Sequence, residues 1–145
     1  IPEGTQLPRP IVEYYFKDGK LNLPLVAEEH IVAFGWANQQ DLDDIVALSL
    51  RVNDFLSGVM MGVGIRLADF RIEVGRIWEG DFMRLIVADE ISPDSCRLWD
   101  MRQPERPDGS IPDPLPMADV YTELARRLGV MPSNVTHAMK PTLIN

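Results

Sequence analysis

Between Leu42 and Met60 the apolar residues return every three or four positions, through Ile45, Val46, Leu50, Val52, Phe55, Leu56 and Val59. That spacing lines one face of a helix. Asn38 stands ahead of it as an N-cap with Asp41 three residues on, and Gly62 supplies a stop. The pattern predicts a core helix over 38–62, with Asn53 and Asp54 on a solvated face. A brief helix over 26–34, closed by Gly35, and a final amphipathic helix carried by Met117, Val120, Tyr121, Leu124 and Leu128 and ended by Gly129 complete the helical set. Two stretches, 65–77 and 82–91, read instead as strands separated by WEGD, and should pair as an antiparallel hairpin. A short strand is expected over 11–16. The Pro-rich stretch 103–116 excludes regular structure, and the remainder from Met131 reads as a loose tail. The fold class is α+β: an antiparallel hairpin or sheet packed with one long and two shorter helices.

Within the first long strand, LADFRIEVG places a charge at every second residue. Asp69, Arg71 and Glu73 would share one face, and Ala68, Phe70, Ile72 and Val74 the other. A half-buried strand with one wet face gives the same pattern, so register decides whether a site exists. A loop of Trp78, Glu79 and Gly80 pairs Ile77 with Asp81 and Asp69 with Asp89, bringing four charged side chains to one surface. A two-residue Glu79-Gly80 loop sends Asp89 to the opposite face. The first is preferred, because a type I′ turn wants Asn or Asp before its Gly. Asp69, Glu73 and Asp89 would then crowd together with Arg71 as their offset, an arrangement that a bound cation relieves. Carboxylates that leave room for water and phosphate oxygens suit Mg²⁺.

The bulk properties narrow the field. A chain of 145 residues, 46% hydrophobic, suffices for one domain with a real core. Its 22 acidic against 14 basic residues give a net charge of -8, which argues against a nucleic-acid partner. Cys96 is the single cysteine, which excludes an internal disulfide. No signal peptide or long apolar run stands out, so a cytoplasmic protein without a membrane partner is expected. Ile1 is not an initiator methionine, and the chain is expected to be a piece of something longer.

LADFRIEVG, followed by GDFMRLIVADEISPDSCRLWD, resembles the SAICAR synthetase family, the phosphoribosylaminoimidazole-succinocarboxamide synthases of purine synthesis. The likeness extends back through VNDFL, EEHIVAFGW and EYYFKD to EGTQLP, and forward to ARRLGV. It implies an ATP-dependent ligase that joins L-aspartate to carboxyaminoimidazole ribonucleotide through an acyl phosphate, with ATP and Mg²⁺ as cofactors. Carried over by residue, Glu73 and Asp89 correspond to the Mg²⁺-ATP ligands, Asp69 and Arg71 to contacts with the imidazole nucleotide, and Arg97 to its 5′-phosphate partner. Lys17 corresponds to a further substrate contact. Asp94 is either a substrate contact or a cap of its own loop, and Trp99 and Trp78 are expected to pack.

The departures from the family pattern lie at presumed substrate positions. Arg71 replaces the signature lysine, Leu23-Pro24 replaces Asp-Pro, and MRQPERPDGSIPDPLP replaces a charged stretch after Asp100. No Gly-Ser signature of an amino-terminal nucleotide lobe occurs, so the chain is expected to be the carboxy-terminal portion, residues 1–145 forming one domain. A divergent, non-catalytic nucleotide- or metal-binding relative is the alternative reading. A kinase fragment, suggested by Asp69-Phe70, lacks the catalytic loop that would have to precede it. Oligomeric state is open, with a homo-oligomer compatible.

Overall fold

The computed structural model of the chain describes residues 5–17, 20–103 and 117–131. The irregular stretch expected over 104–116 and the tail expected from 132 onward lie outside the described residues. Three two-stranded antiparallel sheets and three helices make up the described part. β1 (Tyr14–Tyr15) pairs with β2 (Leu25–Val26), a shorter strand than the 11–16 run suggested. α1 (Glu28–Ala33) follows and ends at Gly35, whose φ of +70° takes the left-handed conformation that lets the chain turn away.

α2 (Gln39–Gly62) begins as its sequence dictates. The Asp41 amide donates to Asn38 Oδ1 at 2.9 Å and the Asn38 amide to Asp41 Oδ2 at 3.2 Å, so two orphan donors are satisfied reciprocally. Gly62 is the last helical residue, and Gly64, at φ +73°, makes the turn instead. Burial along α2 differs from expectation. Leu42 and Met60 enter the core near the two ends, whereas Phe55 is 70% exposed. With a mean hydropathy of 1.3 in its most apolar stretch, α2 is long and apolar enough to cross a membrane by length and composition, which corrects the expectation that no such run exists. Arg51 and Asp54 stand in its middle, where a bilayer would penalise them, and its two ends pack against the rest of the domain.

β3 (Ile65–Phe70) pairs with β6 (Cys96–Asp100), from Ile65↔Asp100 to Phe70↔Cys96, with a bulge at Ala68. β4 (Glu73–Glu79) pairs with β5 (Phe82–Ala88), from Glu73↔Ala88 to Glu79↔Phe82. The single strand expected over 65–77 is therefore two strands in two sheets, broken at Arg71 and Ile72. The break has a partner: the Arg71 amide donates to the Ser95 carbonyl at 2.8 Å, ahead of β6.

The core forms where α2, β3, β6 and α3 (Met117–Arg127) meet, from Met60, Ile65, Leu98, Val120 and Leu124. Trp99 is buried as expected, but Trp78, expected to pack, is 74% exposed near the tip of the β4–β5 hairpin. Arg127 closes the core. Its side chain is 5% exposed and its two terminal nitrogens fork onto the Asp100 carboxylate, Nη1 reaching Oδ1 at 2.9 Å. Nε donates to Glu123 Oε1 at 2.5 Å, and Nη1 also reaches the Gly64 carbonyl at 3.2 Å. One guanidinium thus ties α3 to β6 and to the turn between α2 and β3.

Breaking such a pair leaves carboxylates short of their counter-charge. Arg127→Met should therefore cost about 3 kcal/mol in chemical denaturation; a loss under about 0.5 kcal/mol would show that the clamp does not close the fold. Arg126 first, and then Arg127, hold the Glu123 carboxyl down to about 2 from an ordinary 4.5, and Arg127 holds Asp100 below its usual range. Carboxyls depressed by folding stabilise above their unfolded range and lose that contribution as pH falls through the folded value. Stability should fall between about pH 4.5 and 2, and less steeply in Arg127→Met.

Candidate functional site

Apart from Lys17, which follows β1, the residues singled out in the sequence sit on two segments: 69–73, where β3 hands over to β4, and 89–97, where β5 hands over to β6. The first handover is fixed by the Arg71–Ser95 backbone bond. The second is fixed within the 3₁₀ turn Pro93–Ser95, where Ser95 Oγ donates to the Ser92 carbonyl at 3.0 Å and accepts from the Ser92 amide at 3.1 Å.

Glu73, the first residue of β4, accepts from Lys17 Nζ at 2.5 Å across 56 positions of chain. Asp89 lies one residue past β5, with φ +65°, a conformation that aspartate tolerates better than most residues. Its Oδ1 accepts the Glu90 amide at 2.9 Å, so a local turn, and not strand alternation, sets where the carboxylate goes. Glu73, and more weakly Asp89, hold the Lys17 ammonium above its ordinary pKa. Asp89 follows Ala88, the register partner of Glu73, so Glu73, Asp89 and Lys17 gather at one end of the β4–β5 ladder.

Asp69 and Arg97 are register partners across β3 and β6, with Arg97 Nε 3.4 Å from Asp69 Oδ2. Both side chains are more than half exposed, so the pair is worth under about 1 kcal/mol and can be exchanged for another anion. Tyr15 feels the charges of Arg71 and Asp69, although its phenol donates to Glu13 at 2.9 Å and is raised mainly by that carboxylate. Asp94 Oδ2 accepts from Tyr121 Oη at 2.8 Å. That contact to α3, and not a cap of its own loop, is the partner the structure gives Asp94.

The register expected for the hairpin is corrected. The loop is Gly80-Asp81, with Gly80 at φ +63°, since Gly at the first of two loop positions suits a tight hairpin as well as Asn-Gly does. Asp69 pairs with Arg97 instead of Asp89, and the four charged side chains do not share one hairpin face. Asp89 nevertheless stands at the same end of the ladder as Glu73, because Ala88 before it is the register partner of Glu73. Tyr15 and Tyr121 were not anticipated. Tyr121 has helical spacing with Val120 and Leu124, which reads as core, and its exposure at the edge of that face is visible only in three dimensions.

Among the described residues no three His, Cys, Asp or Glu side chains gather as a metal cluster. Glu73 and Asp89 can supply two carboxylates, which suits a Mg²⁺ that takes its other ligands from water and phosphate. The donor set fits on that condition. An ammonium already lies against it, which marks the spot as one where positive charge is stabilised.

Residues 1–112 match the family model described as SAICAR synthetase. The chain is 67% identical over its full length to a phosphoribosylaminoimidazole-succinocarboxamide synthase of Jannaschia sp., of which it spans 58%, and equally identical to that of Dinoroseobacter shibae, again over 58%. Among solved structures, the synthase of Ehrlichia chaffeensis superposes with a TM-score of 0.75 at 37% identity, covering 89% of this chain and 55% of that one. A SAICAR synthetase in complex with ADP gives the same TM-score at 32% identity, covering 90% and 55%. The chain thus spans a little over half the length of the relatives it matches.

Tyr121→Phe removes the one bond between α3 and Asp94 and leaves the apolar contacts of the ring. Amide hydrogen exchange at Arg71 and Ser95 should quicken about fivefold, in proportion to a bond worth about 1 kcal/mol, with little change in Tm. Unchanged exchange at both amides would show that the phenol does not hold the loop.

Proposed function

Because the chain belongs to the SAICAR synthetase family, we propose that it is part of an ATP-dependent ligase that joins L-aspartate to the carboxylate of carboxyaminoimidazole ribonucleotide in purine synthesis. The observation that carries this reading is the meeting of segments 69–73 and 89–97, which sets Glu73 and Asp89 at one end, where Lys17 reaches Glu73 from beyond β1, and Asp69 and Arg97 at the other. Identity of 67% to proteins named as synthases favours the ligase over a non-catalytic relative. The rest of the active site falls to the remainder of the protein, since relatives are longer by almost half of their length.

A carboxylate resists attack by an amine until one of its oxygens is made a good leaving group. In the proposed reaction that oxygen takes the γ-phosphoryl group of ATP and ADP departs. The aspartate amine then attacks the acyl carbon, phosphate leaves with the C–O bond, and the nitrogen gives up a proton to yield the amide. Mg²⁺, when bound, neutralises the polyphosphate charge that this transfer moves. Glu73 and Asp89 would hold it. Arg97, released from Asp69, would grip the ribonucleotide phosphate through its fork. Asp69 and Arg71 would contact the imidazole nucleotide, and Asp94, steadied by Tyr121, a further substrate group. A purine-synthesis reaction on soluble substrates is compatible with a cytoplasmic protein.

The test uses the protein at its natural full length, following ADP release with ribonucleotide and aspartate. Glu73→Gln and Asp89→Asn should each lower kcat/KM on the order of 100-fold and raise the Mg²⁺ requirement. Arg97→Ala should raise KM for the ribonucleotide about tenfold and leave the Mg²⁺ curve in place. If the carboxylate variants follow the parental Mg²⁺ curve while Arg97→Ala shifts it, the roles are reversed. Absence of turnover in the full-length protein would favour the non-catalytic reading.

A further inference from the structure

Lys17 is anchored by its neighbour and holds Glu73 with an exposed tip. The Phe16 amide donates to the Pro24 carbonyl at 3.0 Å, and the Phe16 ring stacks on Trp36 with centroids 4.6 Å apart, which fixes the backbone next to Lys17. The side chain itself is 75% exposed and reaches Glu73, whose own side chain is 46% exposed. Ion pairs with that much solvent contact contribute little and exchange readily. Two carboxylates also outnumber one ammonium, so the neighbourhood of Glu73 and Asp89 keeps a net negative charge with Lys17 in place.

A divalent cation changes this balance. Mg²⁺ binds carboxylate oxygens at about 2.1 Å, while Lys17 Nζ already lies 2.5 Å from Glu73 Oε1. An ammonium and a divalent cation held about 4 Å apart on one carboxylate repel each other, so the metal ion weakens the hold of Glu73 on Lys17. We propose that the Lys17 ammonium is the resident counter-cation of the Glu73 and Asp89 carboxylates, and that a divalent cation arriving with its nucleotide displaces it and frees it for the nucleotide phosphates. The exchange keeps two carboxylates at one end of the ladder from standing uncompensated before the metal arrives. It also delivers a mobile positive charge when the anionic ligand enters, so that metal and phosphate binding reinforce each other. The inference rests on the reading of Glu73 and Asp89 as metal ligands, and its test separates the two.

Mn²⁺ alone serves as the probe, its free concentration followed by electron paramagnetic resonance, with the full-length protein and its Lys17→Met, Lys17→Arg and Glu73→Gln variants. Lys17→Met should bind Mn²⁺ about two- to fivefold tighter than the parent, the range set by losing an exposed competing cation, while Lys17→Arg stays near the parent and Glu73→Gln binds more weakly. The NMR signal of the Lys17 ammonium should shift when Mg²⁺ is added to the parent and stay still in Glu73→Gln. Equal or weaker Mn²⁺ binding in Lys17→Met, with Glu73→Gln still impaired, overturns the exchange and leaves the metal assignment standing. Equal binding by Glu73→Gln and the parent overturns the metal assignment, and the exchange with it.

Discussion

The fork of Arg127 onto Asp100 is the contact on which the rest of the described structure depends. It joins the last turn of α3 to the end of β6, and through the Gly64 carbonyl it reaches the turn that starts β3. With those ends fixed, Leu98 and Ile65 face Val120 and Leu124, and the loop that precedes β6 has a defined starting point. The same helix then offers Tyr121 to Asp94. A second arginine does the equivalent for the other sheet. Arg76 on β4 donates to Asp41 at 2.7 Å, inside the capping box of α2, and so ties the β4–β5 hairpin to the start of the long helix. Arg76 and the Asn38 amide together hold the Asp41 carboxyl below its usual range.

These two anchored sheets meet at the candidate site, and the charges there behave differently from those that anchor. Asp41, Asp100 and Arg127 are largely removed from water, so losing a partner leaves a charge exposed to a poor dielectric. Lys17–Glu73 and Asp69–Arg97 are open to solvent and cost little to separate. Rigid pairs hold the frame, while the exchangeable pairs are the ones that the proposed function assigns to ligands.

Much of this was legible in the sequence for physical reasons that act locally. The Asn38–Asp41 capping box, the helical spacing from Leu42 to Met60 and the Gly129 stop are short-range signals, and each appears where the residues put it. Register was not legible, because it depends on which strand is the neighbour. β3 leaves its sequence neighbour to pair with β6, and no feature of LADFRIEVG announces the break at Arg71. Trp78 misled for a related reason: an aromatic in an alternating run looks internal until the hairpin tip carries it into solvent. Strand arithmetic sets Asp89 opposite Asp69, whereas the chain reaches Asp89 through a left-handed turn just past Ala88, the register partner of Glu73. α2 carries more apolar surface than the described residues cover, which amphipathic spacing alone could not have shown.

The central claim is that Glu73 and Asp89 form one cation site where the two handovers meet. A crystal structure of the full-length protein with ADP and Mn²⁺, using the anomalous signal of manganese, tests it most directly. A peak within coordinating distance of both carboxylates, with Lys17 turned away from Glu73, is the predicted result. Manganese bound to the nucleotide elsewhere, with the Lys17–Glu73 pair intact, would contradict it.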